Sequence, residues 1–111
     1  KIPMFIQLKS EKPFALAGLW ENWNSPDGSN LLSCTIVTTQ PNELMQPIHN
    51  RMPVILPTSA YAAWLQPGEV DTRPLQALLA PYPAEEMVAR PVSRAVNNPA
   101  NDSPECIASP G

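Results

Sequence analysis

The sequence predicts an α+β fold with a mostly antiparallel sheet, on three observations. The run LLSCTIVTT, Leu31 to Thr39, gathers β-branched residues into one block, the composition of a pleated strand. Just before it, NSPDGSN concentrates Pro26, Asp27 and Gly28 between two apolar runs, so the chain reverses there and its flanks pair antiparallel. Beyond it, prolines interrupt each helical pattern, and an interior proline removes a donor and clashes with the preceding turn. The helices are therefore short and pack on the sheet.

Taken in order, MFIQL reads as a strand, with Pro3 at its edge where a missing N–H does no harm. PFALAGLWENW is a second, aromatic-rich strand and LLSCTIVTT a third, the three forming an antiparallel meander. Thr39 caps a helix over QPNELMQ, with Pro41 in its first turn and Pro47 ending it. RMPVILP returns to extended chain. TSAYAAWL is a second helix, capped by Thr58 or Ser59 and stopped by Pro67-Gly68. Asp71 or Thr72 caps a third over RPLQALL, halted by Pro81. EMVARPVSRAV is a late strand, and NNPANDSPECIASPG a polar tail with an apolar touch at Cys106-Ile107.

At 111 residues, 43% of them apolar, the chain supports a core for one domain at most. Its 15 prolines fall among apolar runs with only 4 glycines, which excludes wholesale disorder and a flexible linker. A net charge of −3 supplies no basic excess for a nucleic acid. Cys34 and Cys106 stand far apart with no CxxC or Cys/His cluster. Neither zinc nor a disulfide framework is expected, and two free thiols of a reducing cytosol are. No apolar stretch reaches membrane-spanning length and no secretory leader is present. The expectation is a cytoplasmic, monomeric protein without a membrane partner. Lys1 enters directly on a strand, and a small sheet alone would leave open edges. Both point to a piece of something larger.

The single histidine lies in QPIHNRMPVIL, where a short helix breaks and a strand begins. Pro47 and Pro53 restrict the backbone around His49, which suits a side chain that must be aimed. Imidazole exchanges a proton near neutral pH. Arg51 lies two positions on, and in an extended segment both side chains leave one face. An imidazole beside a guanidinium suits a phosphate and the reacting atom next to it. The blander reading has His49 donating to a backbone carbonyl and Arg51 in a surface ion pair.

KIPMFI, FALAGLWE, CTIVTT, PIHNRMPVIL, AWL, PVSRAVNN and NDSPECI occur in that order. Together they resemble the C-terminal half of the SOS-response-associated peptidase (SRAP) family, nearly from Lys1 to Ile107. IHNRMPVIL and VSRAVNN are its most specific stretches. The resemblance implies a protein that recognises abasic sites in single-stranded DNA. Such proteins link to the ring-opened sugar through a mature N-terminal cysteine, whose amine and thiol form a thiazolidine. That cysteine frees itself by autoproteolysis, and no cofactor is implied. His49 matches the histidine that acts on the sugar in ring opening and in reversal. Arg51 matches an arginine that supports DNA binding, and Ser93 and Arg94 are candidates to touch the DNA backbone.

The departures from the family pattern are specific. The chain has no N-terminal cysteine, and Lys1 begins just past the position of the family's catalytic glutamate. Asn50 replaces an aspartate common in the motif. As written, the chain is expected to be chemically inactive alone, and to pair with an N-terminal segment carrying the nucleophile. The expected sheet is strongly twisted, partly barrel-like, and incomplete without that segment. The alternative is a noncatalytic half-domain that serves as a scaffold for single-stranded nucleic acid.

Other residues receive structural roles. Cys34, in an apolar strand, is expected to be buried and inert rather than the nucleophile of a Cys–His pair. Trp20 is expected in core or edge packing rather than stacked on a base. Trp64 has the spacing of a helix core residue, and Glu21 is read as structural. Asn97 and Asn98 are expected to make turn hydrogen bonds.

Overall fold

In the computed structural model, which describes residues 2–68 and 71–110, the reversal at NSPDGSN closes a long hairpin. Gly28 N–H donates to the Ser25 carbonyl at 3.0 Å and Ser25 N–H to the Ser29 carbonyl at 2.8 Å. Pro26 presets the first central position of the turn, and Gly28 takes φ +89°, which a side chain would strain. Asp27 Oδ1 accepts from the Ser29 N–H at 2.9 Å and from its hydroxyl at 2.6 Å.

The chain divides into two compact units, residues 14–82, and residues 1–13 with 83–111. The first unit carries β2 (Ala15–Leu16), β3 (Gly18–Asn24), β4 (Asn30–Ile36), β5 (Thr38–Thr39), β6 (Met52–Pro53) and β7 (Ile55–Leu56). β2 pairs with β7, β3 with β4 and β5 with β6, all antiparallel. Each of three extended stretches thus exchanges partner at its middle residue. At that point Ala17 N–H donates to the Val54 carbonyl (2.8 Å), Val54 N–H to that of Val37 (2.9 Å), and Val37 N–H to that of Ala17 (2.9 Å). The ring satisfies three backbone pairs in the most buried part of the unit, where lost pairs would be costly. Ala17 and Val54 are fully buried, and with Leu56 they form a cluster against which Val37, Tyr61, Trp64 and Leu78 pack.

This exchange limits each ladder to two strands. Among the described residues the sheets are four separate antiparallel pairs, and no sheet closes. The antiparallel pairing and short helices expected from the sequence hold, while the partly barrel-like character expected of the sheet is not seen among the described residues. The second unit pairs β1 (Met4–Leu8) with β8 (Met87–Pro91). The expected meander is corrected accordingly, because β2 already pairs with β7, whereas β8 offers a ladder along the full length of β1. Phe5 lies opposite Arg90, whose guanidinium sits 4.9 Å from the ring centroid.

The helices are shorter than the sequence pattern. A 3-10 turn over Thr58–Ala60 runs into α1 (Tyr61–Trp64), and Pro57, not Thr58 or Ser59, is the N-cap. In α2 (Arg73–Gln76) Thr72 is the N-cap without a side-chain bond, and Asp71 Oδ1 accepts from Arg73 N–H at 3.0 Å. QPNELMQ forms turns rather than a helix. Thr39 is committed to β5, and the cap passes to Asn42, whose Oδ1 accepts from Met45 N–H at 2.9 Å. The turns run on through Pro47 to Ile48, whose N–H donates to the Met45 carbonyl at 2.8 Å. The late strand ends at Pro91, and Arg94–Asn97 and Pro104–Ile107 are 3-10 turns. No helix among the described residues is long and apolar enough to cross a membrane.

Burial departs from the apolar pattern most along the hairpin. Every residue of β3 and β4 is exposed, Trp20 by 76%. Cys34 is exposed too. Both were expected to pack, and the reason they do not is that the hairpin has no layer against either face among the described residues. Trp64 does pack, half-buried on the Ala17 cluster, its Nε1 donating to the Gly18 carbonyl at 3.0 Å.

Candidate functional site

His49 follows the Asn42-capped turns, its N–H donating to the Met45 carbonyl at 2.9 Å. It is exposed, in a bend that precedes β6. The segment is not yet extended there, so the two side chains do not simply share a strand face. Instead the His49 ring folds back on the Arg51 peptide. Its Nδ1 lies 3.2 Å from both Arg51 N and Arg51 O. With Nδ1 bare, the Arg51 N–H donates to it; with Nδ1 protonated, the ring donates to the Arg51 carbonyl. The peptide thus serves the ring in either state, while Nε2 has no partner among the described residues. That second nitrogen is the one free to exchange a proton.

Arg51 is anchored rather than swinging. Its Nε donates to Thr38 Oγ1 at 2.8 Å and its Nη2 to the Thr38 carbonyl at 2.9 Å. Thr38 belongs to β5, directly paired with β6 through Thr38 opposite Pro53 and Thr39 opposite Met52. Met52, 1% exposed, fixes the base of the bend, and its Sδ accepts from Asn42 N–H at 3.3 Å. Asn42 Nδ2 also donates to the Tyr82 carbonyl at 2.7 Å. The ion pair of the blander reading is not found among the described residues. Among the described residues the one side-chain salt bridge is Arg73 with Asp71 at 2.8 Å, an exposed pair. Among the described residues Arg51 Nη1 has no partner.

Ser93 and Arg94 belong to the other unit. Ser93 is the N-cap of the turn over Arg94–Asn97, its Oγ accepting from Ala95 N–H at 3.1 Å. Its own N–H donates to the Ala108 carbonyl at 2.7 Å. The hydroxyl is therefore engaged in holding the loop, while Arg94 is exposed and makes no hydrogen bond among the described residues. Asn98 Oδ1 accepts from Ala100 N–H at 3.0 Å, the turn role expected of it. Thr38 and Asn42 escaped the sequence reading. The signal for Asn42 is an Asn three residues before Met45 in PNELM; Thr38 has none, since its role depends on β5–β6 pairing.

No group of three or more His, Cys, Asp or Glu among the described residues could hold a metal ion. The ring is held on the Arg51 backbone and the Arg51 side chain on Thr38.

Comparison with known proteins gives this site its context. The family model for SOS response associated peptidase (SRAP) matches residues 1–99. The chain belongs to the SRAP family. It is 56% identical over 109 residues to the abasic site processing protein YoqW of Bacillus subtilis (strain 168), covering 98% of this chain and 49% of that protein. It is 40% identical over 120 residues to the abasic site processing protein HMCES of Xenopus tropicalis, covering 94% of this chain and 35% of that protein. A crystal structure of a Bacteroides thetaiotaomicron protein superposes with a TM-score of 0.82 at 28% identity, covering 97% of this chain and 48% of that one. The chain thus spans about half the length, or less, of the curated relatives it matches.

Proposed function

We propose that this chain is the acid/base and phosphate-holding part of an SRAP protein that processes abasic sites in single-stranded DNA. His49 acts through Nε2 on the ring oxygen of the abasic sugar, assisting opening to the aldehyde and later reversal. Arg51, held by Thr38, presents Nη1 to the neighbouring phosphate. Arg94 adds a cation for the DNA backbone, and Ser93 orders the turn that carries it. The nucleophile is an N-terminal cysteine on a polypeptide segment that this chain does not contain. Its amine condenses with the aldehyde to an imine, water leaves, and its thiol closes the thiazolidine. The same cysteine is exposed beforehand by autoproteolysis. The reaction takes place on DNA in the cytoplasm, or on the nucleoid in a bacterium.

One observation carries the reading. The imidazole is exposed and oriented by Nδ1, with Nε2 uncommitted, rather than sealed in the core. The relatives' printed function, abasic site processing, agrees with that chemistry. The test mixes the chain with a cysteine-initiated partner segment and an abasic single-stranded oligonucleotide, followed on a denaturing gel. A denaturation-resistant band is expected, slower to form or release with His49→Ala and unchanged with Cys34→Ala. Loss of the band with Cys34→Ala, His49 being dispensable, would replace this mechanism with a Cys–His one. DNA binding without any covalent band would favour a noncatalytic scaffold.

A further inference from the structure

We propose that Asp27–Gly28 is a latent isoaspartate site, held closed by Ser29 for as long as the β3–β4 turn is folded. It is the one place in the sequence where an aspartate or asparagine precedes a glycine. The reaction needs only the chain and water. The Gly28 nitrogen attacks Asp27 Cγ, a C–N bond forms and a Cγ–O bond breaks, and the amide proton departs with the carboxyl OH as water. Water then opens the five-membered imide. Addition at Cγ restores aspartate. Addition at the former peptide carbonyl breaks its bond to the Gly28 nitrogen and leaves isoaspartate. The main chain then runs through Asp27 Cβ and Cγ, one atom longer, and the former carbonyl is a free carboxylate. Glycine favours the closure, having no side chain to shield its nitrogen, and no atom lies within 4 Å of where a Gly28 side chain would begin. A longer turn would displace the Asn24–Asn30 and Trp23–Leu31 pairs beside it, because the turn sets their register.

The folded turn opposes each requirement of that reaction. The nucleophile is engaged, since Gly28 N–H donates to the Ser25 carbonyl at 3.0 Å. The electrophile is tied down, since Asp27 Oδ1 accepts from the Ser29 hydroxyl at 2.6 Å and from the Ser29 N–H at 2.9 Å. Those two bonds, the hydroxyl first, also favour the ionised carboxyl, and a carboxylate has no OH to lose. Asp27, Gly28 and Ser29 are all exposed, so bonding and not burial keeps the site closed. Asp102–Ser103 provides the contrast within the same chain. Both residues are exposed, and among the described residues neither the Asp102 carboxyl nor the Ser103 N–H has a hydrogen-bond partner. There the Ser103 side chain hinders closure, whereas folding adds nothing.

The test incubates the chain in mildly acidic buffer, native and in guanidinium chloride. Isoaspartate at each position is then measured by peptide mapping with electron-transfer fragmentation, which distinguishes the two isomers. In denaturant Asp27–Gly28 should outpace Asp102–Ser103. In the native chain its rate should fall by about tenfold or more, while that of Asp102–Ser103 should change little. Ser29→Ala should raise the native rate at Asp27 by about fivefold or more and leave the denatured rate unchanged. Ser29→Thr keeps the hydroxyl and should keep the parent rate. Circular dichroism checks that both variants are folded, and the native-to-denatured ratio of the parent chain tests the closed turn without any substitution. The proposal is overturned if the native chain forms isoaspartate at Asp27 as fast as the denatured one, or if a folded Ser29→Ala chain is no faster than the parent. It is equally overturned if folding slows Asp102–Ser103 as much as Asp27–Gly28, because protection would then not come from the bonds of this turn.

Discussion

The same two strands meet opposite fates at their two ends. Near Ala17 and Val37 the chain runs into the three-strand junction, where backbone groups pair in a ring and Val54 is fully buried. Toward the turn, β3 and β4 carry side chains at least as apolar, yet every one of their residues is exposed. Apolar character alone therefore does not say where a core lies. The junction is a core because several stretches converge on it; among the described residues nothing converges on the hairpin. The candidate site hangs from the junction end, since Arg51 is tied to Thr38 and His49 is tied to Arg51. Its geometry depends on the half of the unit that is already packed.

Perturbing the two ends should separate them. The largest effect is expected from Met52→Ala beneath the bend, which removes a side chain 1% exposed and should cost about 3 kcal/mol by urea denaturation. Asn42→Ala strips the cap on Met45 N–H and the bond to Tyr82, and should cost about 1–2 kcal/mol in the same experiment. Thr38→Val keeps the shape but removes the acceptor for Arg51 Nε. It should weaken binding of an abasic oligonucleotide to the assembled protein by about threefold to tenfold, measured by anisotropy. Leu32→Ser on the hairpin should change the stability of the isolated chain by no more than about 0.5 kcal/mol. A large loss there would mean that the hairpin is already covered, and the contrast would collapse.

The smallest effect concerns the turn. The Ser29 hydroxyl, then the Ser29 N–H, hold the Asp27 carboxyl down to about 2 from its ordinary 3.8. A lowered value in the folded state means that the unfolded chain takes up the proton more readily. The contribution of Asp27 is therefore complete above about pH 4 and fades as pH falls toward 2. Asp27→Asn should make acid unfolding between those values slightly shallower, as followed by circular dichroism.

Much of this was legible in the sequence, for local reasons. The NSPDGSN reversal follows from residues that fix their own backbone, and MFIQL and LLSCTIVTT from side chains that favour pleated chain. The helix over QPNELMQ was not legible correctly, because Thr39 was claimed by a strand forty residues from the Leu79 carbonyl its hydroxyl faces. Pairing of β1 with β8 was equally hidden, since it joins the two ends of the chain. At the site, His49 and Arg51 could be named from their motif. The fold-back of the ring on the Arg51 peptide could not, because it depends on the bend angle. Thr38 was out of reach for the same reason as the strand pairing. Ser93 shows what the sequence could not add, since its hydroxyl, named as a candidate for the DNA backbone, also accepts from Ala95 N–H as a turn cap.

The measurement that bears most directly on the account is the single-turnover rate of covalent product formation with an abasic single strand. It should be taken for the chain mixed with a cysteine-initiated polypeptide segment. The account predicts that His49→Ala slows the step by about a hundredfold. An unchanged rate in that variant would contradict it.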